Sequence, residues 1–181
     1  MRIIGGSLRG RALAAPPGQS TRPTADRVRQ AIFDMLIHAA WGGRALLDDA
    51  AVLDAFAGTG ALGLEALSRG AGHATFMENH PAALAALRAN VQKCRVEDRS
   101  RVIAADVLVA PPAPSPSRIV FLDPPYGRDL LPRAVAKLAD GGWLASGTLI
   151  FAEIGRGEAL PAMRLLSDRA HGAARIAVWR V

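Results

Sequence analysis

Four acids and a run of glycines fall near the ends of successive apolar stretches. Asp54 lies in "AVLDAF", with Gly58, Gly60 and Gly63 just behind it in "GTGALG". Glu78 lies near the end of "HATFMEN", Asp106 of "RVIAADV" and Asp123 of "RIVFLDPP", where Pro124, Pro125 and Tyr126 follow. Glycine lets a backbone turn sharply and approach a ligand, and the N-terminus of a following helix offers unpaired N–H groups. A small ligand is therefore expected over the glycine turn. Gly58 to Gly63 also fits the G-x-G-x-x-G pattern of dinucleotide-binding turns, with Glu78 at the spacing of a ribose-binding acid. Each acid alone reads as a helix cap or a solvated strand end; gathered on one sheet edge, the set reads as a site.

Asp54 separates two cofactor readings. An acid just before the glycine turn repels a pyrophosphate but accepts hydrogen bonds from an ammonium group. S-adenosylmethionine carries that ammonium and no phosphate; Glu78 suits its ribose diol and Asp106 its adenine amino group. Asp-Pro-Pro-Tyr then supplies the acceptor side of the chemistry. Asp123 and the Pro124 carbonyl can both accept hydrogen bonds from a planar NH2 group, which turns the nitrogen lone pair outward and supplies rate through orientation. The prolines fix φ and so aim that carbonyl, and Tyr126 offers a flat face for an extruded base. Methyl transfer to an exocyclic amine is the expected reaction, and it requires neither a metal nor a covalent enzyme intermediate.

The elements that must position these residues alternate. Strand patterns at "AVLDAF", "HATFMEN", "RVIAADV", "RIVFLDPP" and "TLIFAE" are separated by helix patterns at "GALGLEALSRG", "PAALAALRANVQKCRV" and "LLPRAVAKLAD". Such alternation predicts a parallel sheet covered on both faces. The proline-rich "APPAPSPS" replaces one helix by a loop. The tail "MRLLSDRAHGAARIAVWRV" predicts two antiparallel strands about His171 and Gly172. At the front, "RIIGG" and "LRGRAL" predict a basic hairpin carrying Arg9 and Arg11 outward, and Thr24 can cap a helix through "ADRVRQAIFDMLIHAAW" that ends at Gly42 and Gly43.

The chain has 181 residues and a formal net charge of +6. Six arginines and one acid in the first thirty residues supply +5 of that excess. A basic segment on an otherwise balanced domain is what a polyanion-binding face requires, because neutralised phosphates release counterions. No run of eighteen apolar residues and no apolar signal core occur, so neither membrane insertion nor secretion is expected, and the cytoplasm is the expected compartment. Cys94 reads as a small helix residue. His38, His73, His80 and His171 show no ligand spacing and read as surface or turn residues, and Trp41, Trp143 and Trp179 read as packing residues.

Together "RIIGGSLRGRAL", "TRPTADRVRQAIFDML", "LDAFAGTGALGLEALSRGA", "FLDPPY" and "GGWLASGTLIFAE" resemble the bacterial 16S rRNA guanine-N2-methyltransferases, class I S-adenosylmethionine-dependent enzymes with the Asp-Pro-Pro-Tyr motif of amino-methylating enzymes. The resemblance spans almost the whole chain. It implies an α/β, Rossmann-like fold: a mostly parallel seven-stranded sheet with helices on both faces, plus a small N-terminal β-hairpin. One domain is implied over residues 1–181, with the basic hairpin and loop at 1–20, the N-terminal helix at 24–43 and the catalytic core at 51–181. S-adenosylmethionine would lie on Asp54, Gly58, Gly60, Glu78 and Asp106, and catalysis would rest on Asp123, Pro124 and Tyr126. RNA would be met by Arg9 and Arg11, with Arg22 near the cofactor mouth. The implied partner is 16S rRNA or the small ribosomal subunit, met by a monomer without a metal. Departures from the family pattern are the "APPAPSPS" loop, Asn79 and His80 where many relatives carry another acid, and a weakly matched last twenty residues. Three alternatives stay open. A DNA adenine-N6 methyltransferase shares Asp-Pro-Pro-Tyr but generally adds a target-recognition domain. An NAD-dependent oxidoreductase fits Gly58 to Gly63 and Glu78 but leaves Asp54 and the prolines unexplained. A non-catalytic RNA-binding assembly factor leaves Asp123 and Tyr126 without a use.

Overall fold

Apolar side chains alternate between two faces along every central strand, and each face is covered. The computed structural model describes residues 1–16, 23–125, 130–155, 157–158, 160–171 and 174–181. In chain order the elements are α1 (Pro23–His38), β1 (Ala51–Ala55), α2 (Ala61–Ser68), β2 (His73–Glu78), α3 (Pro81–Cys94), β3 (Ser100–Ala104), β4 (Ile119–Leu122), α4 (Leu130–Asp140), β5 (Leu149–Gly155), β6 (Leu165–His171) and β7 (Ala174–Arg180). The strands form one seven-stranded sheet in the order β3-β2-β1-β4-β5-β7-β6. Strands β1 to β5 run parallel, and β7 is antiparallel to both β5 and β6. This is the Rossmann-like class I α/β fold that the resemblance implies.

Because successive strand side chains point to opposite faces, Val52, Phe76, Phe121 and Phe151 pack with α1, α2 and α3, whereas Leu53, Met77, Leu122 and Ala152 pack with α4. Aromatic rings join α1 to the sheet centre: the Phe33 and Phe121 centroids lie 5.6 Å apart, and those of Phe121 and Phe151 5.8 Å apart. The crossover from β3 to β4 carries no α-helix, as its prolines predict. It lies against the α4 side, where the Trp143 indole Nε1–H donates to the Pro111 carbonyl at 2.8 Å. Trp143 and Trp179 are buried packing residues and Trp41 stacks near Phe151, so the tryptophans do what their patterning predicts.

Several boundaries differ from the sequence reading. Helix α1 begins at Pro23, ahead of Thr24, and stops at His38, short of Trp41. Proline suits a first helical turn, where its missing N–H would have had no partner. Strand β4 stops at Leu122, so Asp123 and both prolines leave the ladder; a proline has no N–H to give it. Strand β3 stops at Ala104, and Asp106 instead caps a 3-10 turn at Val107–Val109 by accepting from the Leu108 N–H at 2.9 Å. The expected N-terminal β-hairpin is short and closes about an antiparallel bridge between Arg2 and Ala12. Across the arms the Ile3 N–H donates to the Arg11 carbonyl at 2.9 Å and the Leu13 N–H to the Met1 carbonyl at 3.1 Å, while the turn side docks on α2: Ile4 and Gly5 donate to Glu65, and Leu8 donates to Ser68 Oγ.

Strand β1 is the point of divergence. The chain leaves it towards β2 and β3 on one side, then returns to β4 and β5 on the other. Such a switch opens a crevice at the carboxyl ends of the strands.

Candidate active-site cleft at the sheet switch point

A cleft of about 550 Å³ opens at that crevice. The turn after β1 contributes Phe56, Gly58 and Thr59, the turn after β2 contributes Glu78, Asn79 and His80, and the segment after β4 contributes Asp123, Pro124 and Pro125. Glu153 of β5 and Pro16 of the N-terminal segment complete the walls.

Backbone geometry explains the glycines. Gly58 and Gly60 have φ of 56° and 80°, in the left-handed region, and a Cβ on Gly60 would come within 2.4 Å of Leu87 Cδ1. Conformation and packing both demand glycine there. Phe56 adopts φ of 63° without that freedom; holding a bulky residue so costs about 1–3 kcal/mol. Backbone strain thus sits in the cleft wall, at a residue whose type alone gave no sign of it.

The loop's N–H groups are already engaged by acids. Glu78 Oε2 accepts from the Gly58 N–H at 2.7 Å, while Oε1 accepts from the N–H groups of Asn79 and His80 at 2.9 and 2.7 Å. Asp54 Oδ2 accepts from the Gly63 N–H at 2.8 Å. Asp54 is only 2% exposed and lies beneath the loop rather than in the cleft wall. Burial pushes its carboxyl up to about 8, with the charges of Asp123 and Glu78 adding to the rise and the Gly63 bond opposing it. Asp123 reaches solvent through the cleft mouth, yet the walls strip part of its hydration. That desolvation first, and the Glu153 carboxylate second, raise its pKa above the usual carboxylate range.

Asn90 on α3 was not singled out by the sequence reading. It is fully buried, and its Oδ1 accepts from the Ala14 N–H at 2.7 Å while Nδ2 donates to the Ala14 and Thr59 carbonyls, both at 3.0 Å. It therefore ties the N-terminal segment to the glycine loop. The available signal was position: Asn90 falls on the same stripe as Leu87, Val91 and Cys94, where a polar residue must find buried partners. Glu153 and His80 were likewise unassigned to the site, although both line the cleft.

The other expected residues separate. Asp106 keeps to its 3-10 turn and is not among the residues lining the cleft. Arg9 is exposed and, with Arg2 and Arg27, borders a second groove of about 540 Å³ between the N-terminal loop and α1. Arg11 turns to α3 and donates to the Lys93 carbonyl at 2.6 Å, satisfying one of the carbonyls a helix end leaves open. Tyr126 and Arg22 lie outside the described residues. Among the described residues no group of three or more His, Cys, Asp or Glu could hold a metal ion, and no helix is long and apolar enough to cross a membrane.

A family model described as conserved hypothetical protein 95 matches residues 1–180. The chain is 41% identical over 153 residues to ribosomal RNA small subunit methyltransferase D of Escherichia coli strain K12, covering 84% of this chain and 74% of that one. It is 37% identical over 158 residues to the protein of the same name in Haemophilus influenzae, covering 84% and 78%. The solved structure of the Escherichia coli protein YhhF superposes with a TM-score of 0.83 at 37% identity, covering 99% of this chain and 97% of that one.

Proposed function

The chain belongs to the conserved hypothetical protein 95 family of methyltransferases, and from that premise we propose that it methylates the exocyclic N2 amine of a guanine in 16S rRNA, within the assembled small ribosomal subunit and at the expense of S-adenosylmethionine. The whole chain acts as one catalytic domain in this reading.

The observation that carries it is the occupation of the glycine loop by carboxylates. In a dinucleotide site those N–H groups and the helix N-terminus hold a pyrophosphate. Here Glu78 and Asp54 take the N–H groups of Gly58 and Gly63, so a phosphate would be set against two acids. A cation bearing a ribose diol meets attraction instead. Glu78 Oε2 accepts one bond from the protein, and a carboxylate oxygen can accept two, which leaves capacity for a ribose hydroxyl. Asp54, beneath the loop, ionises as the cation binds, Gly58 and Gly60 keep the approach clear of side chains, and Asp106, whose Oδ1 caps its own turn, offers its other oxygen to the adenine amino group.

Bound S-adenosylmethionine supplies an electrophilic methyl; the chain supplies everything that makes the amine ready for it. Asp123 and the Pro124 carbonyl accept the two amine hydrogens and turn the nitrogen lone pair towards the cofactor side. Asp123, with its raised pKa, then takes the proton that the methylated nitrogen sheds. The family resemblance assigns Tyr126 the role of a stacking face for the base. Arg9 and its neighbours meet RNA phosphates, and Arg22 is assigned to the cofactor mouth on the family resemblance.

The test is transfer of labelled methyl to undermethylated small subunits, naked 16S rRNA and duplex DNA side by side. Label on guanine N2 in the subunit is expected. Label confined to DNA adenine would replace the substrate and keep the mechanism, and a saturable NADH titration would overturn the cofactor.

A further inference from the structure

Resting on the reading just given, we infer that Glu153 selects guanine, its carboxylate accepting the N1–H of the target base while Asp123 and Pro124 hold the N2 amine. Sheet order divides the cleft into two halves. Glu78 and the glycine loop stand at the ends of β2 and β1, whereas Asp123 follows the end of β4 and Glu153 lies near the carboxyl end of β5. The cofactor half is therefore on one side of the switch point and the base half on the other. Leu122, the last residue of β4, pairs with Ala152 of β5, so Asp123 just past that strand and Glu153 lie side by side in the cleft wall. Neighbouring strands lie about 4.8 Å apart, which brings two carboxylates to one base edge.

Guanine presents N1–H and N2–H2 side by side on its Watson–Crick edge, an unbroken row of donors. Asp123 and the Pro124 carbonyl account for the two N2 hydrogens, and N1–H is left needing an acceptor from the β5 side. Adenine and cytosine place an unprotonated ring nitrogen beside their amines. In this cleft that lone pair would face the Glu153 carboxylate, a repulsion that rejects both bases. The residue thus explains why a motif shared with adenine methylation would act on guanine. Glu78, Asp123 and Glu153 line the cleft, and their carboxylates favour donor-rich and cationic groups.

The experiment uses the full chain on small subunits reconstituted with guanine or 2-aminopurine at the methylated position. 2-Aminopurine keeps the N2 amine but has an acceptor at N1. Wild-type kcat/KM should favour guanine by about tenfold or more, as expected where a site hydrogen-bonds a substrate N–H. Glu153→Gln can donate to N1 of 2-aminopurine; it should lower kcat/KM on guanine by about tenfold, erase or reverse the preference, and leave cofactor Kd within about twofold. Glu153→Ala should lower guanine turnover and also flatten the preference. An unchanged guanine to 2-aminopurine ratio in both variants overturns the inference, as does a loss that lies wholly in cofactor Kd. Wild-type enzyme that leaves guanine N2 unlabelled defeats the reading beneath it, a result distinct from either of those.

Discussion

Glu65 and Asp123 are both carboxylates set against the same sheet, and the fold treats them in opposite ways. Glu65 on α2 is fully buried. It accepts from the N–H groups of Ile4 and Gly5 and from Arg69 Nε at 2.7 Å, with Arg29 Nε at 3.6 Å. Arg29 itself donates to the Arg2 carbonyl at 2.7 Å and to Asp26 at 2.9 Å. Donors saturate this acid, and what they fasten is the N-terminal loop. Asp123, Glu78 and Glu153 gather at the opposite end of α2, in an open cleft whose described lining residues include no arginine or lysine. One acid is thus buried to fasten the fold, whereas the others line a cleft open to a ligand.

Removing each kind of acid should break different things. Glu65→Ala leaves the buried Arg29, the partly buried Arg69 and two backbone N–H groups without this acceptor, so it should cost about 3–5 kcal/mol in denaturant unfolding. A cost below about 1 kcal/mol would mean that the N-terminal loop is held by packing alone. Asp123→Ala should do the reverse. Turnover on small subunits should fall roughly 10²- to 10⁴-fold, the range for losing a positioned acid–base group. Melting temperature should hold steady or rise, since the variant relieves repulsion with Glu153, and cofactor Kd should stay within about twofold. Loss of melting temperature in this variant would erase the contrast between the two acids.

Asp54 lies between those extremes, buried like Glu65 but facing the cleft's charges, and pH exposes it. Its folded pKa of about 8 stands above the unfolded value of 3.8. The folded state therefore binds more protons in that window, and stability present below pH 4 is lost as pH rises towards 8. Asp54→Asn keeps an acceptor for Gly63 and cannot titrate. Between pH 5 and 8 the wild type should lose on the order of 3 kcal/mol relative to that variant. Cofactor affinity should rise over the same window, because a cation draws the proton off Asp54, with proton release visible as a buffer-dependent binding enthalpy. Parallel pH profiles for the two proteins would mean that Asp54 is already ionised.

Most of this architecture was legible because period and punctuation are local. The alternation of Val52 with Leu53 and of Phe121 with Leu122 announced strands buried on both faces, and the glycines announced the turn. The four acids were legible as a set because parallel strands deliver their ends to one edge. What escaped depends on partners far away in the chain. Nothing near Glu65 shows that residues 4 and 5 of the hairpin will dock on it. Asn90 needed Ala14 and Thr59, and Glu153 needed the β4–β5 register. Asp54 was read as a direct ligand of the cofactor; only the three-dimensional arrangement shows its carboxylate turned to Gly63.

The smallest effect separates two arginines that the sequence treats alike. Arg9 is exposed beside Arg2 and Arg27, so Arg9→Ala should weaken RNA binding uniformly and reduce the slope of log K against log salt by about one. Stability should not change. Arg11 is pinned to the Lys93 carbonyl at the end of α3, where a cation contributes about 0.3–1 kcal/mol. Arg11→Ala should therefore lower stability by that amount and leave the salt slope unchanged. The reverse result for Arg11, a full unit off the slope with stability intact, would mean that RNA phosphate displaces the Lys93 carbonyl on binding. The basic face would then extend from the α1 groove around to α3, and Asn90, on the same helix, would link bound RNA to the glycine loop.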